Sequence, residues 1–342
     1  MAQIKTASGS KFSESDVTRV LDGIRNLKVL AIGDTIIDEY VFAELKGRAV
    51  KDPILSVEYR RSEAYCGGIL AIANHISNYA SKVSVVTLLG DHDSRHDFIK
   101  GCLGKNVSLK AFTKADSPTT VKKRYLDCYR NNKLFKIEYI NDKPLSQEAS
   151  LRITEYLKEE LGKYDIVVVG DFGHGFINAQ IREAITEKSR FLAINVQSNS
   201  ANMGYNYASQ YSKADFLVMN EEETRLPLGM RFDDLNKVLA KFSGAYGFRK
   251  VLVTLGKRGC VYFNDGSVYS SPAYVEKVVD TVGAGDAVLA ICSLFVYAKA
   301  EDAMIPFIAN CAGGIKSDYF GNKETITRDK LIDFVRKANS KN

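Results

Sequence analysis

A chain of 342 residues with 45% hydrophobic and 26% charged side chains has enough apolar material for one large α/β domain or two small ones. Its net charge of +6 is interspersed with acids along the whole length, which excludes a nucleic-acid stripe and leaves a weak preference for small anions. Six cysteines without a CxxC pair argue against a zinc site, and neither a signal peptide nor a membrane-length apolar run is present, so a cytoplasmic protein with free thiols is expected.

Residues 1–13 read as a flexible tail and 14–342 as a single domain. Ser15 or Asp16 is expected to cap a first helix through VTRVLDGIRNL. KVLAIGD (28–34) is continuously apolar up to Gly33-Asp34, the pattern of a buried parallel strand opening into a site. Residues 36–62 alternate patchily around a proline and read as edge strands. The helix GGILAIANHISNYA follows, then strand KVSVVTLLGD, a helix through SRHDFIKGCLG and strand VSLKAFT. Residues 119–139 read as a β-hairpin turning near Asn131-Asn132.

The second half alternates more regularly. Strand DIVVVGD leads to helix NAQIREAITEKS, strand RFLAINV and strand ADFLVMN. Helical EEETRL and DDLNKVLAKFSGAYG come next, then strand KVLVTLG, hairpin GCVYFNDGSVYSSP and strand YVEKVV. Helices over AVLAICSLFVYAKA, DAMIPFIANCAGGIKSDYF and RDKLIDFVRKA close the chain. The alternation predicts a three-layer α/β/α fold with a mostly parallel central sheet. The strands near 36–62 and 119–139 fall outside it and are assigned to a small β-sheet lid.

The stretch DTVGAGDA (280–287) sits between a strand and an apolar helix. Small residues there permit a tight turn with backbone N–H groups facing outward at a helix N-terminus, which suits phosphate. A carboxylate beside such a cradle repels phosphate unless it has a task of its own. Asp286 suits a general base that takes the proton of an attacking hydroxyl while the amides hold developing charge. A helix cap made only for stability is the competing reading. Walker A and GxGxxG patterns are both absent at this turn, and the latter absence weighs against a nicotinamide oxidoreductase.

DTVGAGDA closely resembles the C-terminal signature DTxGAGD of the ribokinase-like (PfkB) carbohydrate kinases. GDTIIDEY, CGGILAIAN, NEEE (220–223) and VTLGKRG (253–259) are similar to further motifs of that family, in its order, over roughly residues 28–335. A narrower resemblance is carried by GDTIIDEY, PTTVKKRYLDCYRNNKLFKIEY, VVGDFGHGFI and FLVMNEEETRL. It is to the kinase domain that phosphorylates D-glycero-D-manno-heptose 7-phosphate at O1. The nucleotidyltransferase often fused to that domain is not expected here, because the sequence ends soon after its last helix.

The resemblance implies ATP and Mg²⁺, with Asp286 as catalytic base and the amides of Gly283, Ala284 and Gly285 as anion hole. It assigns Asn220 and Glu223 to magnesium and phosphates, Glu223 acting through water. Thr254, Gly256 and Gly259 fall on the nucleotide-side turn and Asn310 beside the adenine. On the sugar side stand Asp34, Asp38 and Asp171 as hydroxyl acceptors, and Gly67 and Gly68 for close approach. Lys122, Arg124 and Arg130 of the lid would hold a phosphate already on the substrate. The DFG at Asp171 is not a protein-kinase signature, since no HRD loop accompanies it. A lid with an open edge is expected to pair with its twin in a homodimer.

Two departures touch the sugar side: Ala71 replaces an asparagine common in the Gly-Gly helix, and NVQSNSANMGYNY (195–207) replaces an Asp-Pro-Lys-Gly run. They motivate a second reading, a catalytically idle relative that binds sugar phosphate or nucleotide as a sensor or assembly subunit. The intact Asp286 motif argues against it.

Overall fold

The computed structural model of the chain describes residues 5–8, 11–275 and 278–340. In chain order the strands are β1 (Lys5–Ser8), β2 (Lys28–Gly33), β3 (Thr35–Arg48), β4 (Leu55–Gly68), β5 (Lys82–His92), β6 (Val107–Pro118), β7 (Val121–Asp127), β8 (Lys133–Tyr139), β9 (Ile166–Asp171), β10 (Leu192–Val196), β11 (Phe216–Asn220), β12 (Lys250–Thr254), β13 (Cys260–Asn264) and β14 (Ser267–Ser271). The α-helices are α1 (Glu14–Gly23), α2 (Ile69–Ile76), α3 (His96–Cys102), α4 (Gln147–Glu160), α5 (Ala179–Lys188), α6 (Glu221–Arg225), α7 (Leu235–Tyr246), α8 (Ala284–Tyr297), α9 (Met304–Ser317) and α10 (Arg328–Ser340).

The main sheet runs β1-β14-β13-β12-β11-β10-β9-β2-β5-β6. From β6 to β12 every neighbouring pair is parallel; β13 alone runs antiparallel to both its neighbours. In β2, Val29 and Ala31 enter one core while Leu30 and Ile32 enter another. Both faces are therefore apolar, as strands covered by helices on both sides require. The first core takes in α1, α2, α8, α9 and α10, and the second α4, α5 and α7. The fold is the expected three-layer α/β/α.

The second, smaller sheet has the order β4-β3-β7-β8. The patchy stretch 36–62 proves to be two long antiparallel strands, with an irregularity between Phe42 and Ala43 that bends the pair. Tyr40, Phe42 and Leu126 form its small core. Phe135, Ile137 and Tyr139 share one face of β8 and stay 40–47% exposed.

Four local expectations need correction. The tail expected over 1–13 contains β1, which pairs in parallel register with β14, because an open sheet edge templates any extended segment; residues 1–4 and 9–10 lie outside the described ones. Helix α1 is capped by Ser13 in a reciprocal capping box with Asp16, two or three residues before the expected Ser15 or Asp16. Helix α4 was not anticipated, although Ser146 caps it and Ser150, Ile153, Thr154 and Leu157 give a buried stripe at helical spacing. The strand expected over 274–279 is absent from its described residues, and Glu276 and Lys277 lie outside them.

Candidate active site

Strands β2, β9, β11 and β12 all end on one edge of the sheet, the edge where open α/β sheets gather ligands. A cleft of about 510 Å³ opens there, with Asp38, Gly68, Lys122, Arg124, Asn220, Glu223 and the turn Thr281–Asp286 on its walls. A second cavity of about 280 Å³ adjoins it, walled by Tyr274, Val275, Val288, Ala309 and Asn310 among others. Thr254, Gly256, Thr281, Ala284 and Gly285 line both, so the GAGD turn is the partition between a polar and a largely apolar chamber.

The turn is shaped by Gly283, whose φ of +81° belongs to the left-handed region; a Cβ there would overlap Asn322 Oδ1 and lie 3.1 Å from Lys316 Cε. Helix α8 starts immediately after, and from Asp286 to Val296 every residue is buried. Asp286 thus sits in the first turn of a core helix, 6% exposed, facing the polar chamber. Burial, then the nearby Asp38, push its carboxyl up to about 7, against the pull of Lys316 and Lys122. Gln197 Nε2 approaches its Oδ1 at 3.5 Å.

The expected three-amide cradle is reduced by one. Ala284 N donates to Thr281 O at 3.2 Å, the closing bond of the tight turn, whereas among the described residues the amides of Gly283 and Gly285 have no acceptor.

Asp280 opens the motif and is buried beneath the lid. Its Oδ1 accepts from Lys133 Nζ of β8 at 2.6 Å and from Val282 N at 3.2 Å. Its Oδ2 accepts from Tyr40 OH of β3 at 2.8 Å and from Gly321 N at 3.1 Å. One carboxylate therefore joins two lid strands, the GAGD turn and the loop after α9.

Asn220 and Glu223 form a reciprocal capping box on α6, and both line the cleft. Glu223 Oε2 accepts from Asn220 N at 2.9 Å and Oε1 from Ser198 N at 3.0 Å. Burial outweighs these bonds and pushes its carboxyl up to about 7. Gly259 and Asn310 line the apolar chamber, where Asn310 Nδ2 donates to Ser271 O at 2.8 Å.

The sugar-side expectations divide. Asp38, Gly68, Lys122 and Arg124 reach the cleft, and Gly67 stands behind Asp38, where a Cβ would overlap Asp38 Oδ2. Arg124 is paired there with an acid: its Nη1 donates to Asp38 Oδ1 at 2.5 Å. Arg130 is misplaced by the expectation. The hairpin carries it to the far end of the lid, into a depression with Leu45, Asp127 and Tyr129. Asp34 and Asp171 are not among the cleft-lining residues, and hydrogen bonds hold Asp34 Oδ2 and both oxygens of Asp171. Asp34 Oδ2 accepts from Phe172 N at 3.0 Å and His174 N at 3.3 Å. Asp171 accepts from Tyr211 OH at 2.8 Å, Asn206 Nδ2 at 2.9 Å and Gly173 N at 3.1 Å. These bonds tie both acids to the loop that follows β9.

The sequence reading missed Gln197, Asn195 and Ser198 on the cleft wall, in the segment it had noted only as a departure. It also missed Lys316, a lysine with no exposed surface whose one signal was a charge amid the small and apolar residues of AGGIKS.

Known proteins resemble this chain in sequence and in fold. The sequence model of the pfkB family carbohydrate kinases matches residues 26–304. Bifunctional protein HldE of Desulfatibacillum aliphaticivorans is 26% identical over 295 residues, covering 84% of this chain and 59% of the relative. HldE of Pelobacter propionicus is 24% identical over 330 residues, covering 95% and 66%. The chain thus spans about three-fifths to two-thirds of the length of the relatives it matches. Among solved structures, phosphofructokinase-2 of Escherichia coli in complex with substrates and products superposes with TM-score 0.72 at 14% identity, covering 92% of this chain and 99% of that one. Ribokinase of Arabidopsis thaliana complexed with ribose and ATP gives 0.65 at 18% identity over 92% and 99%. These structural likenesses establish the ribokinase-like fold. With the family match over most of its length, the chain belongs to the pfkB family of carbohydrate kinases, phosphotransferases whose acceptor is an alcohol group.

Proposed function

We propose that this protein transfers the γ-phosphoryl group of MgATP to a hydroxyl of a sugar phosphate, a heptose 7-phosphate at O1. One observation carries the reading: Asp286 and the free amides of Gly283 and Gly285 stand at the partition between a polar chamber and an apolar one. ATP lies with its base among Tyr274, Val288 and Ala309 and its phosphates at the turn. The sugar lies between Asp38, Gly68 and Lys122, and Asp286 takes the proton of the attacking hydroxyl.

Magnesium bound with the phosphates neutralises charge on the migrating group. Glu223 and Asn220 fit it through its water shell: both Glu223 oxygens already accept one amide each, yet burial leaves the carboxylate short of a counter-charge. For the substrate's own phosphate, Lys122 offers a cation at the cleft wall. It is buried, burial lowers its pKa, and its nearest salt-bridge partner is Glu138 at 3.9 Å. The HldE relatives and the motif resemblance support the heptose assignment. The apolar face of β8 supports a homodimer through the lid.

The test is ADP release from MgATP across a sugar panel that includes seven-carbon sugar 7-phosphates. Turnover confined to a sugar phosphate and lost in Asp286→Asn supports the reading. Binding without turnover across the panel refutes it in favour of the idle relative.

A further inference from the structure

Lys316 projects from α9 with no exposed surface, and its Nζ has no hydrogen-bond partner. Burying an ammonium this way costs several kcal/mol, and a methionine of similar shape would fill the space without that cost. The neighbouring acid does not require it, because both oxygens of Asp280 are already paired with Lys133, Val282, Tyr40 and Gly321. Lys316 lines neither chamber, so it does not meet a ligand. What it does touch is the back of the GAGD turn, its Cε being 3.1 Å from where a Cβ of Gly283 would stand. Both polar atoms of the Asn322 side chain, on the same side of that turn, are likewise buried without partners.

We propose that Lys316 is a positioning residue for phosphoryl transfer, a fixed ammonium behind the turn that keeps Asp286 ionised and strengthens the attraction of the Gly283 and Gly285 amides for the migrating phosphate. The inference rests on the kinase reading of that site. The charges around Lys316 agree with it. Burial lowers its pKa to about 8, opposed by Asp280, Asp286 and Asp38, while Lys133 lowers it further. Lys316 and Lys122 are in turn the groups that restrain the rise of Asp286. His75 on α2 is held neutral, lowered to about 3 by burial and by Lys316. Tyr319, whose ring centroid is 4.7 Å from Nζ, adds a π-face and no charge at neutral pH. Two limbs are expected in kcat/KM, one rising near pH 7 as Asp286 ionises and one falling near pH 8 as Lys316 loses its proton.

The experiment compares wild type with Lys316→Met and Lys316→Gln. Both variants should fold with a melting temperature at or above wild type. Their kcat should fall about 10- to 100-fold with acceptor KM within about threefold, less than the about 10²- to 10³-fold of one lost oxyanion donor, since Lys316 acts through the turn. The acid limb should move to higher pH and the alkaline limb disappear. Affinity for magnesium, ADP and aluminium fluoride together, read by calorimetry, should fall more than affinity for ADP alone. Wild-type turnover and an unchanged pH profile in both variants would overturn the proposal while leaving the kinase reading intact. A wild type without any turnover counts against the kinase reading, and the calorimetric comparison then decides the inference. Should both variants misfold, the ¹⁵N resonance of the Lys316 ammonium in wild type decides: it must shift on adding aluminium fluoride to the ADP complex, and an unmoved resonance overturns the proposal.

Discussion

Replacing Asp286 by asparagine should act on activity and stability in opposite directions. The substitution keeps shape and removes both the charge and the proton-accepting oxygen. A general base contributes about 10²- to 10⁴-fold, which at about 1.4 kcal/mol per decade is about 3–5 kcal/mol of barrier. The fold, by contrast, gains. A carboxyl raised from 3.8 to about 7 by burial is held ionised at pH 8 against a penalty of about 4 kcal/mol, an upper bound that water and bound cations reduce. Because the folded pKa lies above the unfolded one, the unfolded chain releases this proton first, and wild-type stability declines as pH rises from about 4 to about 7. Asparagine has no such slope. The variant should therefore melt with wild type near pH 4 and several degrees above it at pH 8, while ADP release falls at least a hundredfold. Thermal scans at pH 4.5, 6 and 8 without ligand, paired with a coupled ADP assay, read both effects. An asparagine variant less stable than wild type at pH 8, or within tenfold of its activity, refutes the reasoning.

Gly283→Ala should reduce kcat strongly and destabilise the fold by about 1–2 kcal/mol, since it combines a left-handed φ with overlap on Asn322; denaturant unfolding and turnover check it together. Lys133→Met removes the lid's ion pair with buried Asp280, and should raise acceptor KM more than it lowers kcat, with faster amide exchange in β8. Glu223→Gln should raise the magnesium concentration for half-maximal activity about tenfold while the cap on α6 survives, as a titration at fixed ATP would show. Ile137→Lys, on the apolar face of β8, should shift sedimentation toward the monomer; an unchanged distribution refutes the lid-mediated dimer.

What could be read from residue order was what depends on local pattern. The apolar runs of β2, β9 and β11 lead into Asp34, Asp171 and Asn220, and the edge they define needs no tertiary information. DTVGAGDA likewise states its own geometry through Gly283. Reach and competition were invisible. Arg130 and Lys122 are both lid cations in sequence, but the hairpin at Asn131 turns one away from the cleft and leaves the other over it. Asp34 stands at a strand end like Asp38, yet only the fold shows that the Phe172 and His174 amides claim it. Ala284 looked equivalent to its glycine neighbours until the turn closed on Thr281. Strand β1 has no periodicity to announce it, since its partner is an edge. Lys316 was passed over as a single charge in an apolar helix, because its neighbours come from the N-terminus of α8 and from the loop at Asn322.

The shared carboxylate of Asp280 has a bearing on how a kinase of the proposed kind would avoid wasting nucleotide. If the lid swings outward, Lys133 and Tyr40 depart with it, and the oxygen atoms that also anchor Val282 and Gly321 lose half of their partners at once. Slackness is thereby transmitted to the loop that, on the proposed reading, meets the terminal phosphate. Water would find a poorly organised reaction partner whenever the acceptor chamber stands open, and only a seated sugar would draw the loop taut.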